Sequence, residues 1–266
     1  MSQVSAEIYL QRYLRLTPLS LALQRAVEAK HLASVVLKQP TLDLGCGFGE
    51  FAQVFFDQPV AVGVDICPKK INQAKKTGKY LKLVQADACQ LPFKTESFNS
   101  VISVSALEHM TNPSKVLKEV LRVLKPEGQL VLTVVTDKWE QNLFYPELLQ
   151  KVGLKKLADK YRQLFNQVFK HQQLLSQWEW EKHVRQAGFE LKVSQAIVSP
   201  QIARFFDLFL ITAWPAQLAK KMVGRRVVWR PLFMISLLTK VFKKYVDETE
   251  PVVGTNLFLV AIKSGK

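Results

Sequence analysis

Three cysteines in 266 residues, Cys46, Cys67 and Cys89, are too few for a disulfide framework. No CxxC pair and no Cys/His cluster with zinc spacing occurs, so a structural metal is not expected either. The compartment expected is a reducing one. Residues 1–7 lack a basic segment followed by an apolar core, and no signal peptide is expected. Acids are scarce as well, with 22 Asp and Glu against 37 Lys and Arg and a net charge of +15. The shortage is uneven. Up to Thr136, 16 basic residues face 11 acidic ones, whereas from Asp137 onward 21 face 11. A localised surplus of this kind attracts phosphates, of nucleic acid or of a membrane, although a diffuse one is only a solvated surface. The 48% hydrophobic content excludes general disorder, and the length allows one large domain or a domain with an appendage.

Residues 41–50, Thr-Leu-Asp-Leu-Gly-Cys-Gly-Phe-Gly-Glu, form the stretch around which the rest is arranged. A short apolar run with one acid becomes three glycines spaced two apart and then an apolar-rich segment. That reads as a buried strand, a tight turn and a helix start. A turn that lets backbone touch a ligand cannot carry Cβ atoms, and a helix N-terminus presents free N–H groups. A dinucleotide fold wants G-x-G-x-x-G, and here Glu50 falls where the third glycine would be.

The surrounding pattern is regular. Strands are expected at 41–45, 60–64, 81–85, 100–104, 129–135, 189–194 and 255–262, with helices near 49–57, 68–78, 113–125 and 176–187. Valine-rich strands alternating with helices imply an α/β fold with a doubly wound, mostly parallel sheet. The division expected is an N-terminal helical cap (1–39), a cofactor-binding core (40–136), a helical insertion (137–175), a continuation of the core (176–198), a basic and apolar helical insertion (199–252) and a last strand with its tail (253–266). The N-terminal helices are expected to pack over the cofactor end of the sheet, with the back of the core as the alternative.

Successive strand ends carry acids. Asp65 closes the second strand, where a carboxylate can accept two bonds from ribose hydroxyls, and Asp87 follows the third, within reach of an adenine amino group. Each alone is equally a loop or helix cap. Together the segments LDLGCGFG (42–49), VGVD (62–65), QADACQLPFKTESFNSVISVSALEHM (85–110) and NPSKVLKEVLRVLKPEGQLVLTV (112–134) resemble the class I S-adenosylmethionine-dependent methyltransferases, in the small-molecule branch called methyltransferase type 11. The resemblance covers roughly residues 40–136, and more weakly 180–193. It implies the Rossmann-like methyltransferase fold, with seven strands and the last one antiparallel, and S-adenosyl-L-methionine as cofactor. Carried onto this chain, it implies that Asp43, Gly45, Cys46, Gly47 and Gly49 face the methionine part. Asp65 would hold the ribose, with Ile66 beside the adenine. Asp87 and the Ala88 N–H would meet the adenine edge, and Ser103 to Ser105 would floor the methyl group.

The fourth strand's end points at the reaction centre in that family, which makes His109 a candidate general base and Glu108 a second catalytic candidate; shaping the pocket is the plainer role. Some quinone-pathway O-methyltransferases place an acid for a divalent metal where this chain has Ser105, so no metal is expected. The Asn/Asp/Ser-Pro-Pro-Tyr/Phe turn of base amino-methyltransferases is absent, as is a Pro-Cys nucleophile. From Arg204 to Tyr245 there are nine Lys or Arg residues, one acid (Asp207) and two apolar blocks, 208–214 and 231–238. Neither block reaches the ~18 residues of a spanning helix, but amphipathic helices in an anionic membrane interface fit them, as does a cap on the core. The expectation is methyl transfer, at oxygen or carbon, to a small-molecule or lipid-like acceptor by a cytoplasmic, peripherally membrane-associated enzyme. RNA or protein methylation is the first alternative, with nucleic acid the weaker partner, and a non-catalytic cofactor-binding protein is the second.

Overall fold

The computed structural model describes residues 5–169, 171–172, 174–210, 228–248, 251 and 253–264. Much of the second insertion, 211–227, with the end of its first apolar block, therefore lies outside the described residues. Seven strands make one sheet: β1 (Thr41–Leu44), β2 (Val60–Asp65), β3 (Tyr80–Gln85), β4 (Phe98–Val104), β5 (Leu124–Val135), β6 (Phe189–Ala196) and β7 (Asn256–Lys263). Their order is β3-β2-β1-β4-β5-β7-β6. The first five run parallel, and β7 is antiparallel to both β5 and β6. The fold class expected from the alternation is therefore the one observed. The chain leaves β1 toward β2 on one side and returns to β4 on the other, so a crevice opens at the carboxyl ends of β1 and β4.

Two apolar clusters cover the sheet. On one face α1 (Ala6–Leu16) and α2 (Leu19–Leu32) share a core with Ile102, Val104, Val131, Val135, Phe258 and Val260. On the other, α5 (Pro113–Val123) and α9 (Gln177–Gln186) pack with Leu42, Leu44, Leu130, Leu132 and Leu257. A capping box between Ser176 and Glu179 starts α9 and sets the fully buried Trp180 into this second core. Around the crevice lie α3 (Glu50–Phe55) and α4 (Pro68–Lys75). The insertions contribute α6 (Lys138–Gln141), α7 (Phe144–Lys151), α8 (Lys155–Phe169), α10 (Pro200–Leu208) and α11 (Leu232–Val246).

Two expectations need correction. The N-terminal helices lie on a sheet face, the alternative arrangement, while Gln24, Arg25 and Glu28 of α2 reach the end of β4. The reason is the width of the apolar surface on α2: Ala22, Leu23, Ala26, Val27, Ala29 and Leu32 are all buried and need a broad apolar partner. Second, β5 starts at Leu124, five residues early, because Leu124 pairs with Phe98 before the chain bulges through Pro126, Glu127 (φ +59°) and Gly128 to rejoin at Gln129.

Gly63 of β2 shows how the sheet admits a side chain toward the crevice. A Cβ there would lie 2.7 Å from the Tyr80 ring and 2.9 Å from Leu83. Gly63→Ala is expected to destabilise the protein by about 1–3 kcal/mol through overpacking. Urea denaturation checks this, and an unchanged midpoint would mean that the ring does not occupy that space.

Candidate active site

The glycine turn is built by backbone bonds to β2. Gly45 and Cys46 both donate to the Val64 carbonyl, at 2.8 and 2.9 Å, and Gly49 donates to Cys46 at 3.0 Å. Gly45, Gly47 and Gly49 have φ of +77°, +57° and +76°, a region that side chains with a Cβ rarely adopt. A Cβ on Gly45 would stand 2.7 Å from that of Ala106, so the turn is pressed against the end of β4. On Gly47 it would meet nothing closer than a carbonyl at 3.9 Å. The turn is thus tight against protein on one side and open on the other.

Asp65 organises the next edge. Its Oδ2 accepts from the Gly47 N–H at 3.0 Å and from Lys70 at 3.4 Å, and its Oδ1 accepts from the Cys67 N–H at 2.9 Å. Ile66 beside it is largely exposed. Asp87 accepts from the Cys89 N–H at 2.8 Å, and the Ala86 N–H donates to the Asp65 carbonyl at 3.2 Å, so the ends of β2 and β3 with Ala88 form one rim. Asp43 is buried and accepts from the Tyr80 hydroxyl at 2.7 Å. Burial pushes its carboxyl up to about 7, the Tyr80 bond opposing and the Asp65 charge adding. Burial also holds the Cys46 thiol far above its usual range, so it is an inert filler.

Not every expected residue faces the crevice. Ser103 is fully buried and donates to the Leu44 carbonyl at 3.0 Å, a clasp between β1 and β4 beneath the turn. Glu108 is fully buried within the short 3-10 turn Leu107–His109, whereas His109 next to it is exposed. Neither carboxyl oxygen of Glu108 has a hydrogen bond of good geometry among the described residues, and burial pushes the group up to about 8, nearby backbone amides of Glu108 and Val135 and the Arg25 charge opposing and Glu28 adding. His109 stacks on His171, their ring centroids 5.4 Å apart and 13° from parallel.

Sequence reasoning passed over three contributors. Glu28 of α2 accepts from Asn256 and Arg25 at 2.8 Å, from Gln24 at 3.2 Å and from Ser105, binding the start of β7 to the end of β4. Tyr13 of α1 is buried with no partner for its hydroxyl among the described residues, close enough to Arg25, Glu28, Glu50 and Asp43 to feel their charges. His171 holds the Asn166 amide oxygen at 3.2 Å and is kept neutral by burial, its imidazole pushed down to about 4. For Glu28 and Tyr13 the only signal was a polar group at an otherwise apolar helical position, and His171, in the loop after α8, carried none.

The donor and acceptor set fits an adenosyl cofactor carrying an amino acid. Paired carboxylates stand at successive strand ends, a Cβ-free turn opens on one side, and an exposed apolar residue lies between the acids. A methyltransferase-domain family model matches residues 42–132, the span that builds the turn, both acids and the end of β4. The chain is a class I S-adenosylmethionine-dependent methyltransferase. This methyltransferase is 28% identical over 178 residues to a ubiquinone/menaquinone biosynthesis C-methyltransferase, UbiE, of Nitrosospira multiformis, spanning 61% of this chain and 71% of that one. It is 40% identical over 120 residues to an uncharacterized methyltransferase, YodH, of Bacillus subtilis, spanning 43% of this chain and half the length of that protein. Its fold is shared with a solved methyltransferase of Thermotoga maritima at a TM-score of 0.58 and 19% identity, over 92% of each chain.

The buried Glu108 gives the methyltransferase a pH signature. Between about pH 4.5 and 8 only the unfolded chain ionises this carboxyl, so its contribution to stability falls as pH rises through that window and is level above it. Glu108→Gln is therefore expected to be more stable relative to wild type at pH 8 than at pH 5. Urea titrations at both pH values measure the difference, and an equal offset at both would show that Glu108 is ionised in the folded state.

Proposed function

We propose that the methyl acceptor is a small, lipid-like molecule met at an anionic membrane surface. The supporting observation is α11. Phe233 is 70% exposed, and Leu232, Leu237 and Val241 stand out beside it, with Trp229 just upstream 85% exposed. Lys240 and Lys244 share this outward face, and α11 contains no acid. An aromatic and aliphatic face bordered by lysines is the composition of a helix that lies in a lipid interface. No described helix is long and apolar enough to cross a membrane, so the contact would be peripheral. The three cysteines are free, in keeping with a cytoplasmic enzyme. The similarity to a C-methyltransferase of quinone biosynthesis points the same way.

The cofactor when bound supplies an activated methyl on its sulfonium. In this reading Asp65 accepts from the ribose hydroxyls, Ile66 lies along the adenine, and Asp87 with the Ala88 N–H meets the adenine edge. Asp43 and the turn of Gly45, Cys46, Gly47 and Gly49 flank the methionine part, and Ser103 acts one layer below by holding β1 to β4. Transfer asks the protein to align donor and acceptor and to exclude water, and to take a proton if the acceptor is a hydroxyl. His109, exposed at the end of β4 and stacked on a neutral His171, is the base for that step. Buried Glu108 shapes the turn that carries it.

Asp65→Ala is expected to weaken cofactor binding at least tenfold by calorimetry, since two charge-assisted bonds to the ribose would be lost. Unchanged affinity would remove the ribose role. The acceptor is tested with methyl-labelled cofactor and separated lipid, RNA, protein and metabolite fractions of a cell extract. Label in the lipid fraction is expected; label confined to RNA or protein would replace this reading with a polymer substrate.

A further inference from the structure

A second helix, from the other insertion, carries the same surface as α11. In α8 and the residue before it, Leu154, Leu157, Tyr161, Leu164 and Val168 follow one another at alternating steps of three and four, which places them on one line along the helix. Leu157 is 50% exposed, Leu164 56% and Val168 64%. The helix cannot roll to hide them. Ala158 and Phe165 are buried on the adjoining side, the Tyr161 hydroxyl is bonded to the fully buried Asp207 of α10, and Asn166 is bonded to Glu140. Beyond the apolar line on the solvent side come Lys156, Lys160, Gln163 and Gln167, all exposed. The lysines of α8 make no ion pair among the described residues, while Asp159, its acid, is matched by Arg162 at 3.0 Å.

We infer that α8 is a second bilayer-contacting helix, which binds anionic phospholipid through its leucine line and the lysines beside it. This rests on the membrane reading given for α11 and extends it to a separate part of the chain. A partner helix would use the leucine line equally well, but it gives no account of the unpaired lysines along its open border. Anionic head groups do, at an attraction of about 1 kcal/mol for each lysine near the surface. Gly153 (φ +82°) ends the tight turn between α7 and α8, so the chain enters the helix at its exposed corner, with Leu148 and Val152 also outward.

The test uses the full chain and sedimentation with vesicles of phosphatidylcholine, with and without phosphatidylglycerol. Leu157→Glu with Leu164→Glu is expected to weaken association with the anionic vesicles by about tenfold or more, because two large apolar side chains lose their burial in lipid. Lys156→Gln with Lys160→Gln is expected to weaken it in the anionic vesicles and leave the neutral ones unchanged. Both pairs are solvent-exposed, and circular dichroism confirms that the helices are kept. Phe233→Glu with Leu237→Glu serves as the comparison on α11. If that variant loses vesicle binding and both α8 variants keep it, α8 is no lipid contact while the membrane reading stands. If the wild-type chain does not bind vesicles at all, the membrane reading itself fails, and the α8 inference with it. If sedimentation velocity instead shows a dimer that Leu164→Glu dissolves, the leucine line is an interface between copies of the chain, and the inference is overturned.

Discussion

The contact on which the rest of the molecule depends is the approach of Gly45 to Ala106. With 2.7 Å between a hypothetical Cβ and the Ala106 methyl, the first turn and the end of β4 can meet only because one of them has no side chain. That meeting fixes where the crevice closes and where it stays open. The two bonds from Gly45 and Cys46 to the Val64 carbonyl then hold the turn against β2, and Asp65 ties down the next amide. This edge of the crevice is therefore assembled by the backbone, with side chains added at fixed points around it.

The electrostatics of the interior follow from the same crowding. Asp43 and Glu108 sit where water is excluded, and both carboxyls are pushed toward neutrality. Glu28, equally buried, lies among four donors from three elements. Buried polar groups of this kind are costly unless matched. Glu28 is matched, and it binds α2 to the strand ends. Glu108 and the Tyr13 hydroxyl are unmatched among the described residues, and both lie near the point where the first and fourth strands end.

The two insertions contribute a different kind of chemistry from the core. The core offers fixed amides and carboxylates; α8 and α11 offer apolar lines bordered by lysine. Transfer of a methyl group makes few demands on particular side chains, so in the proposed reading the acceptor is selected by these outer elements. Their exposed leucines and phenylalanine have a physical cost in water that a soluble, freely diffusing acceptor would give no reason to carry. One chain thus combines a tightly packed glycine turn that tolerates little change with outer helices whose exposed faces are apolar and basic.

The sequence by itself determined the donor chemistry. Glycines spaced two apart, with Asp65 and Asp87 at the ends of the next two strands, are local patterns, and each strand, turn and helix around them follows from residues adjacent in the chain. The order of apolar runs likewise decided the sheet and its class. Only the tertiary structure decided which polar residues meet. Glu28 and Asn256 are 228 positions apart and hydrogen-bonded, and His171, near the end of the first insertion, stacks on His109 after β4. It also showed that Ser103 is a clasp beneath the turn and that the N-terminal helices cover a face of the sheet. Long-range contacts of this kind depend on how helices roll against a sheet, and a polar residue on a buried face looks the same in sequence whether it ends up paired, orphaned or turned to solvent. The leucine line of α8 has the spacing of an ordinary core helix. Its exposure is decided by Phe165 and Asp207 on the neighbouring side, which hold the helix in the one orientation that leaves those leucines outside.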